Sequence, residues 1–244
     1  MSANTPANNR PRPMPDAPAP TAASTERLNR RDLLMRTAER LFATKGIDAV
    51  SLNEINKAAG QRNTSALHYH FGSKDALVET IIYHHYDAIG EEINRRLDRF
   101  EQLSDEQQTP RRLLQAMITP FADQLDSERG NYYLSIVSQV FMRSTDMILN
   151  GHPAIEGTAR RRIYQLFQQT MQPLPKEIFA ARQVLYASLT FHSLANFSMI
   201  GQHDNDAPLG GKALFVNNLL DSLEAVINNQ PSSETLAAIA NGKI

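Results

Sequence analysis

The chain predicts an all-α protein, and three observations carry the prediction. Apolar side chains recur at three- and four-residue intervals from Leu34 to Ile227, the period of helices that bury one face. The interruptions are helix punctuation: Gly46, Gly60, Gly72-Ser73, Arg129-Gly130, Asn150-Gly151, Pro173-Leu174-Pro175 and Gly210-Gly211. No stretch alternates apolar and polar residues between turn dipeptides, as half-buried strands do.

With 244 residues, 41% of them hydrophobic, the chain is long enough to bury a substantial core. It has no cysteine, which excludes disulfides, thiolate zinc sites and thiol redox sensing. No apolar run approaches the roughly 20 residues that cross a bilayer, and the N-terminus lacks the apolar core of a signal peptide. The expectation is a cytoplasmic protein without a membrane partner. The net charge of −1 hides an asymmetry: residues 1–76 hold 11 Lys/Arg against 7 Asp/Glu, and residues 77–244 hold 14 against 19. A basic head on an acidic body suits a head that meets a polyanion.

Residues 1–25 carry Pro6, Pro11, Pro13, Pro15, Pro18 and Pro20 among small polar residues, a composition that builds no core and reads as a disordered arm. Arg10 and Arg12 offer it phosphate contacts, although a passive tail is the simpler reading. A first helix is expected from about Leu28 to Lys45, with Leu34, Ala38, Leu41 and Phe42 on its apolar stripe and Arg27, Arg30, Arg31, Arg36 and Arg40 around the remainder. Ser51 and Glu54 then form a capping box, ahead of Leu52, Ile55 and Ala59 at helical spacing. After a polar turn, Asn63 is placed to cap a second short helix through Leu67, Tyr69 and Phe71, and Ser73 a third that starts at Lys74. Two short helices joined by a turn, the second rich in hydroxyl, amide and imidazole groups, describe a helix-turn-helix reader of duplex DNA. They also fit a helical hairpin with a solvated polar face.

The helix from Lys74 is long: Leu77, Ile81, Tyr86, Ile89, Ile93, Leu97 and Phe100 keep its period, which makes it a lever between head and body. Further helices are expected near 110–127, 131–144, 153–171, 175–202 and 211–229. In the last, Phe215, Leu219 and Val226 lie on one side and Val216, Leu220, Leu223 and Ile227 on another. Two apolar faces need two partners, either a second subunit or deep burial within one chain.

The helix ending L-F-A-T-K-G (Leu41–Gly46), the A-A-G of residues 58–60, and L-H-Y-H-F-G-S-K-D-A-L from Leu67 to Leu77 fall in the order found in the TetR family of transcriptional regulators, which this sequence resembles over roughly residues 30–80. His68 stands where many members have Tyr, and the turn Gln61-Arg62-Asn63 is one residue longer than usual. The resemblance implies a helix-turn-helix DNA-binding domain over 26–76, a helical regulatory and dimerisation domain over 77–230 and a C-terminal tail over 231–244. It implies a homodimer on a double-stranded DNA operator, released by a small-molecule effector.

Arg62, Asn63, Thr64, Ser65, His68 and Tyr69 are the residues expected at the DNA, with Ser51 at the start of the first short helix. Short donors and acceptors at a helix N-terminus favour phosphate, and Arg62 suits guanine edges or phosphate. By resemblance, Tyr69, His70 and Lys74 hold the DNA backbone. Lys74 opens its helix, where the dipole disfavours a cation; a phosphate partner explains it. His68, His70, His84 and His85 lack chelating spacing, so no metal or cofactor is expected, and there is no foothold for an enzyme: no Gly-rich phosphate loop and no nucleophile motif. Aromatic and Met residues in the body are ordinarily core. By resemblance, Phe121, Tyr133, Phe141, Tyr164, Phe167, Phe191, His192 and Met199 line an effector pocket. The alternatives are a helical metal-dependent hydrolase and a helical scaffold without DNA binding.

Overall fold

The computed structural model describes residues 22–61, 65–143, 158–203 and 209–242, and every regular element among them is a helix. The α-helices are α1 (Ala22–Lys45), α2 (Leu52–Ala58), α3 (Ala66–Phe71), α4 (Lys74–Glu101), α5 (Pro110–Ala122), α6 (Glu128–Arg143), α7 (Thr158–Thr170), α8 (Lys176–His203), α9 (Lys212–Asn228) and α10 (Ser233–Ala240). None of the described helices is long and apolar enough to cross a membrane.

Local chemistry fixes the ends. The Ser51 hydroxyl accepts from the Glu54 amide at 3.2 Å, Ser73 from Ala76 at 3.0 Å and Thr109 from Arg112 at 3.4 Å, each satisfying an amide that the first turn leaves free. The Glu54 carboxyl is held below its ordinary range by Lys45, 2.7 Å away, and by the Ser51 amide. Gly46 closes α1 at φ 92°, a conformation in which a side chain is strained.

Several boundaries differ from the sequence reading. Helix α1 begins at Ala22 rather than near Leu28, and α10 occupies part of the expected tail. The helix expected over 110–127 ends at Ala122 and tightens into a 3-10 turn over Asp123–Asp126. Helix α6 starts at Glu128, ahead of Gly130, because the Ser127 hydroxyl accepts from the Gly130 amide at 3.0 Å. The Asn150-Gly151 break lies outside the described residues.

One continuous hydrophobic core runs from Leu34 in α1 to Ile227 in α9. The stripe expected on α4, Leu77 through Phe100, is buried along its whole length. Helix α4 packs on α5, α9 on α5 and α8, and α6 lies against both α8 and α1.

The contact between α1 and α6 fastens head to body. Glu39 sits at 1% exposure on α1. Its carboxylate accepts from Arg129 Nε at 3.0 Å and Nη2 at 2.9 Å, and forms a short hydrogen bond with His85 Nε2 of α4. His85 in turn stacks on Tyr133, ring centroids 4.9 Å apart. Gly130 lets the 3-10 turn over Asp123–Asp126 pack against the start of α6, since a Cβ there would lie 2.0 Å from the Gln124 carbonyl oxygen. Along the same edge, Ser135 Oγ donates to the Ala43 carbonyl at 3.2 Å and Gln139 Nε2 to that of Phe42 at 3.1 Å. Gln139 Oε1 accepts from the Ile47 amide at 2.8 Å, and Arg143 pairs with Asp48. At the end of α1 the Phe42 carbonyl thus accepts from both the Gly46 amide and Gln139, and the Ala43 carbonyl accepts from Ser135, so side chains of α6 help satisfy the last turn.

Replacing Arg129 with Met leaves a buried carboxylate with half its partners, and should lower unfolding free energy by about 3–5 kcal/mol in denaturant titrations. The double variant Glu39→Met, Arg129→Met should recover much of that loss.

Candidate nucleic-acid interface and body cavity

Helices α2 and α3 are short and stand only because Ile55, Ala59, Ala66, Leu67 and Phe71 bury into the head. Arg31 of α1 holds α3 from outside, its guanidinium 4.9 Å from the Phe71 ring centroid. The opposite side of α3 faces solvent. Ser65 and His68 are exposed there, and Tyr69 is 71% exposed. His70 is half-buried with its ring edge-on to Tyr69, 5.1 Å between centroids. The His68 Nδ1–H donates to the Gly72 carbonyl at 2.5 Å, leaving Nε2 as the atom free to meet a ligand. The Ser51 hydroxyl is engaged in capping α2. Arg62, Asn63 and Thr64 lie outside the described residues.

Lys74 has partners other than a phosphate. Its Nζ donates to the carbonyls of Ile47 at 2.9 Å, Val50 at 3.2 Å and Asp48 at 3.4 Å. Three carbonyls of the loop between α1 and α2 converge on one ammonium, which accounts for a cation where the helix dipole disfavours one. The lysine staples that loop to the first turn of α4.

In the body, α4, α5, α7 and α8 enclose a cavity of about 690 Å³. Tyr86 and Ile93 come from α4, Met117, Ile118 and Phe121 from α5, Phe141 from α6 and Ile227 from α9. Helix α7 adds Ile163, Tyr164 and Phe167, and α8 adds Phe179, Tyr186, Ala187, Thr190 and Phe191. Phe191 stacks on Phe141 at 4.5 Å and meets Phe121 edge-on at 5.1 Å, while Tyr164 meets Phe179 edge-on at 5.6 Å. Burial pushes the Tyr86 hydroxyl up to about 12, so it is a neutral hydrogen-bonding group at physiological pH. The Thr190 hydroxyl is buried and has no hydrogen-bond partner among the described residues. Such a group costs stability until something supplies a partner.

The family model described as bacterial regulatory proteins, tetR family, matches residues 34–81, the span from α1 into α4 that contains both short helices. The head of the chain is thus similar to the tetR-family regulatory domain. The matched span holds the helix-turn-helix, which supports a DNA-binding transcriptional regulator. Similar solved structures include a TetR-like transcriptional regulator from Rhodococcus sp. RHA1, 17% identical over 81% of this chain and 93% of that one, with a TM-score of 0.49. A TetR family transcription regulator from Marinobacter aquaeolei VT8 is 17% identical over 83% and 97%, with a TM-score of 0.48. A comparison with curated proteins gives no match.

The sequence-derived sites divide. Ser65, His68, Tyr69 and His70 share one short helix with an open face. Phe121, Phe141, Tyr164, Phe167 and Phe191 share the cavity wall. Tyr133, His192 and Met199 require correction, since none borders the cavity. Tyr133 is 1% exposed against His85. His192 and Met199 follow Leu185 at seven-residue spacing on α8, away from Ala187, Thr190 and Phe191. Sequence reasoning missed Tyr86, Met117, Tyr186 and Thr190. Tyr86 stood on the lever stripe and was read as core; the others carry no signal that separates a cavity wall from packed interior.

Lys74→Met should lower the melting temperature by the loss of about 1–3 kcal/mol of charged hydrogen bonding, while the slope of log affinity for DNA against log salt stays unchanged. A slope reduced by about one phosphate would return Lys74 to the DNA.

Tyr86, Tyr133 and Tyr186 are all raised above the ordinary value of 10.0 by burial. Below pH 10 these hydroxyls are protonated in folded and unfolded chains alike. Above it the unfolded chain loses the protons first, so stability should fall as pH rises through this range. Ultraviolet titration of phenolate should show these three of the seven tyrosines ionising only together with unfolding.

Proposed function

We propose that the chain is a dimeric repressor that binds an inverted-repeat operator and is released when a small apolar or aromatic molecule enters the body cavity. One observation carries this reading. His85 and Tyr86 are consecutive on α4; the first bonds Glu39 of the head and the second lines the cavity. A molecule that shifts Tyr86 therefore acts on the fastening of α1. Release requires the effector to bind the DNA-incompetent arrangement more tightly than the competent one. A coupling of about 1–3 kcal/mol weakens operator binding some 5- to 150-fold, and operator DNA weakens effector binding by the same factor.

The exposed face of α3 supports the division of labour at the DNA. His68 and Arg62 read base edges, and Tyr69 and His70 hold phosphates and set register. Leu185 at 56% exposure and Leu214 at 65% leave α8 and α9 with apolar surface that the described residues do not cover. The seven-residue spacing of Leu185, His192 and Met199 suits a helix facing another helix, and a second copy of the chain is the partner. The two-fold axis then sets both recognition helices in successive major grooves, roughly 34–36 Å apart or a multiple of that distance.

Selection of bound fragments from the source genome identifies the operator. Footprints should show dyad symmetry, and the variant Leu185→Glu, Leu214→Glu should sediment as a folded monomer with operator retardation lost. An unsymmetrical footprint, or a double variant that remains dimeric, would overturn this reading.

A further inference from the structure

The charges around the cavity are one-sided. Arg161 and Arg182 border it, and among the described residues no Asp or Glu does. The two arginines differ in what already holds them. Arg182 donates to the carbonyl of Ile227 at 2.7 Å and to that of Asn229, so it closes the C-terminus of α9. Arg161 has no hydrogen-bond or carboxylate partner among the described residues, whereas its neighbour Arg162 is held by Glu101 at 2.8 Å and Asp98 at 2.6 Å. Helix α7 carries three successive arginines; the side chain of Arg160 lies outside the described residues, and of the other two Arg162 is spent on α4 and Arg161 is left at an apolar cavity.

We propose, resting on the reading of this cavity as the effector site, that the effector is an amphipathic monoanion: a carboxylate on an apolar chain or ring. The apolar part lies against Phe121, Tyr164, Phe167 and Phe191, and the carboxylate pairs with Arg161. A guanidinium and a carboxylate match in shape and form paired charge-assisted hydrogen bonds. An amine of the same shape meets a like charge and finds no bordering carboxylate, which disfavours its charged form. A polyanion brings more charge than Arg161, the one available guanidinium among the described residues that border the cavity, neutralises. The unpartnered Thr190 hydroxyl gives a second polar atom of the effector a place to bond.

Calorimetric titration of the full chain with dodecanoate, methyl dodecanoate and dodecylamine, all below micelle formation, tests the assignment. Dodecanoate should bind about fivefold or more tightly than the ester, a margin kept modest by the exposure of Arg161. The amine should bind most weakly. Arg161→Gln should bring the acid to the affinity of the ester without changing the ester's own. Equal affinities for acid and ester, or an amine that matches the acid, overturn the anion assignment and leave the cavity standing as the effector site. Binding of none of the three overturns the ligand class. If all three bind Ala187→Trp, whose indole fills the cavity, as well as they bind the natural chain, they bind elsewhere and the effector reading falls too.

Discussion

The buried carboxylate of Glu39 is the constraint on which the relation of head to body depends. A charge at 1% exposure is tolerable only when its partners are in place. Those partners come from two other elements, Arg129 at the start of α6 and His85 in the middle of α4. Neither α1, α4 nor α6 can slide by a residue without stranding the charge. Hydrophobic contact between α1 and α6 would favour many nearby arrangements. The carboxylate selects one, because a bidentate guanidinium bond is directional where apolar packing is not.

The rest of the head follows from that placement. Once α1 is fixed, the polar side chains of α6 meet the carbonyls at its end, and Gly46 turns the chain. Lys74 then gathers the carbonyls of the next loop and ties them to the first turn of α4. Helices α2 and α3, at 7 and 6 residues, are too short to be stable alone. They hold because both ends of the segment are anchored, the first to α1 through Lys45 on Glu54 and the last to α1 through Arg31 on Phe71 and to α4 through the Ser73 cap. The exposed face of α3 is thereby presented on a rigid support.

Sequence periodicity made most of this fold legible, because helical period and caps are local properties. The α4 stripe from Leu77 to Phe100 and the caps at Ser51 and Ser73 stand as the sequence predicts. Long-range polar contacts were not legible. Glu39 is one charge among the arginines of α1, and nothing local shows that Arg129, 90 residues later, will meet it. Lys74 was ambiguous for the same reason: an unfavourable cation at a helix start calls for an acceptor, and phosphate and backbone carbonyl are both acceptors. Only tertiary structure decides between them. The cavity was half legible. Aromatic residues marked α5, α7 and α8, but packed interior and open wall share one composition, so Tyr133 was placed in the wall and Tyr86 in the core.

Helix α8 shows how cavity and surface are joined. Ala187, Thr190 and Phe191 face the cavity, while Leu185, His192 and Met199 form a stripe on another side of the same helix. Helix α4 is double in the same manner, with Tyr86 at the cavity and His85 at Glu39. Within a close-packed core such helices move as units and do not deform locally. In the proposed mechanism an effector that spreads α4 from α8 reaches the head through the one and the subunit contact through the other. Both determine the distance between paired recognition helices, so a displacement within one cavity changes the quantity on which operator binding depends.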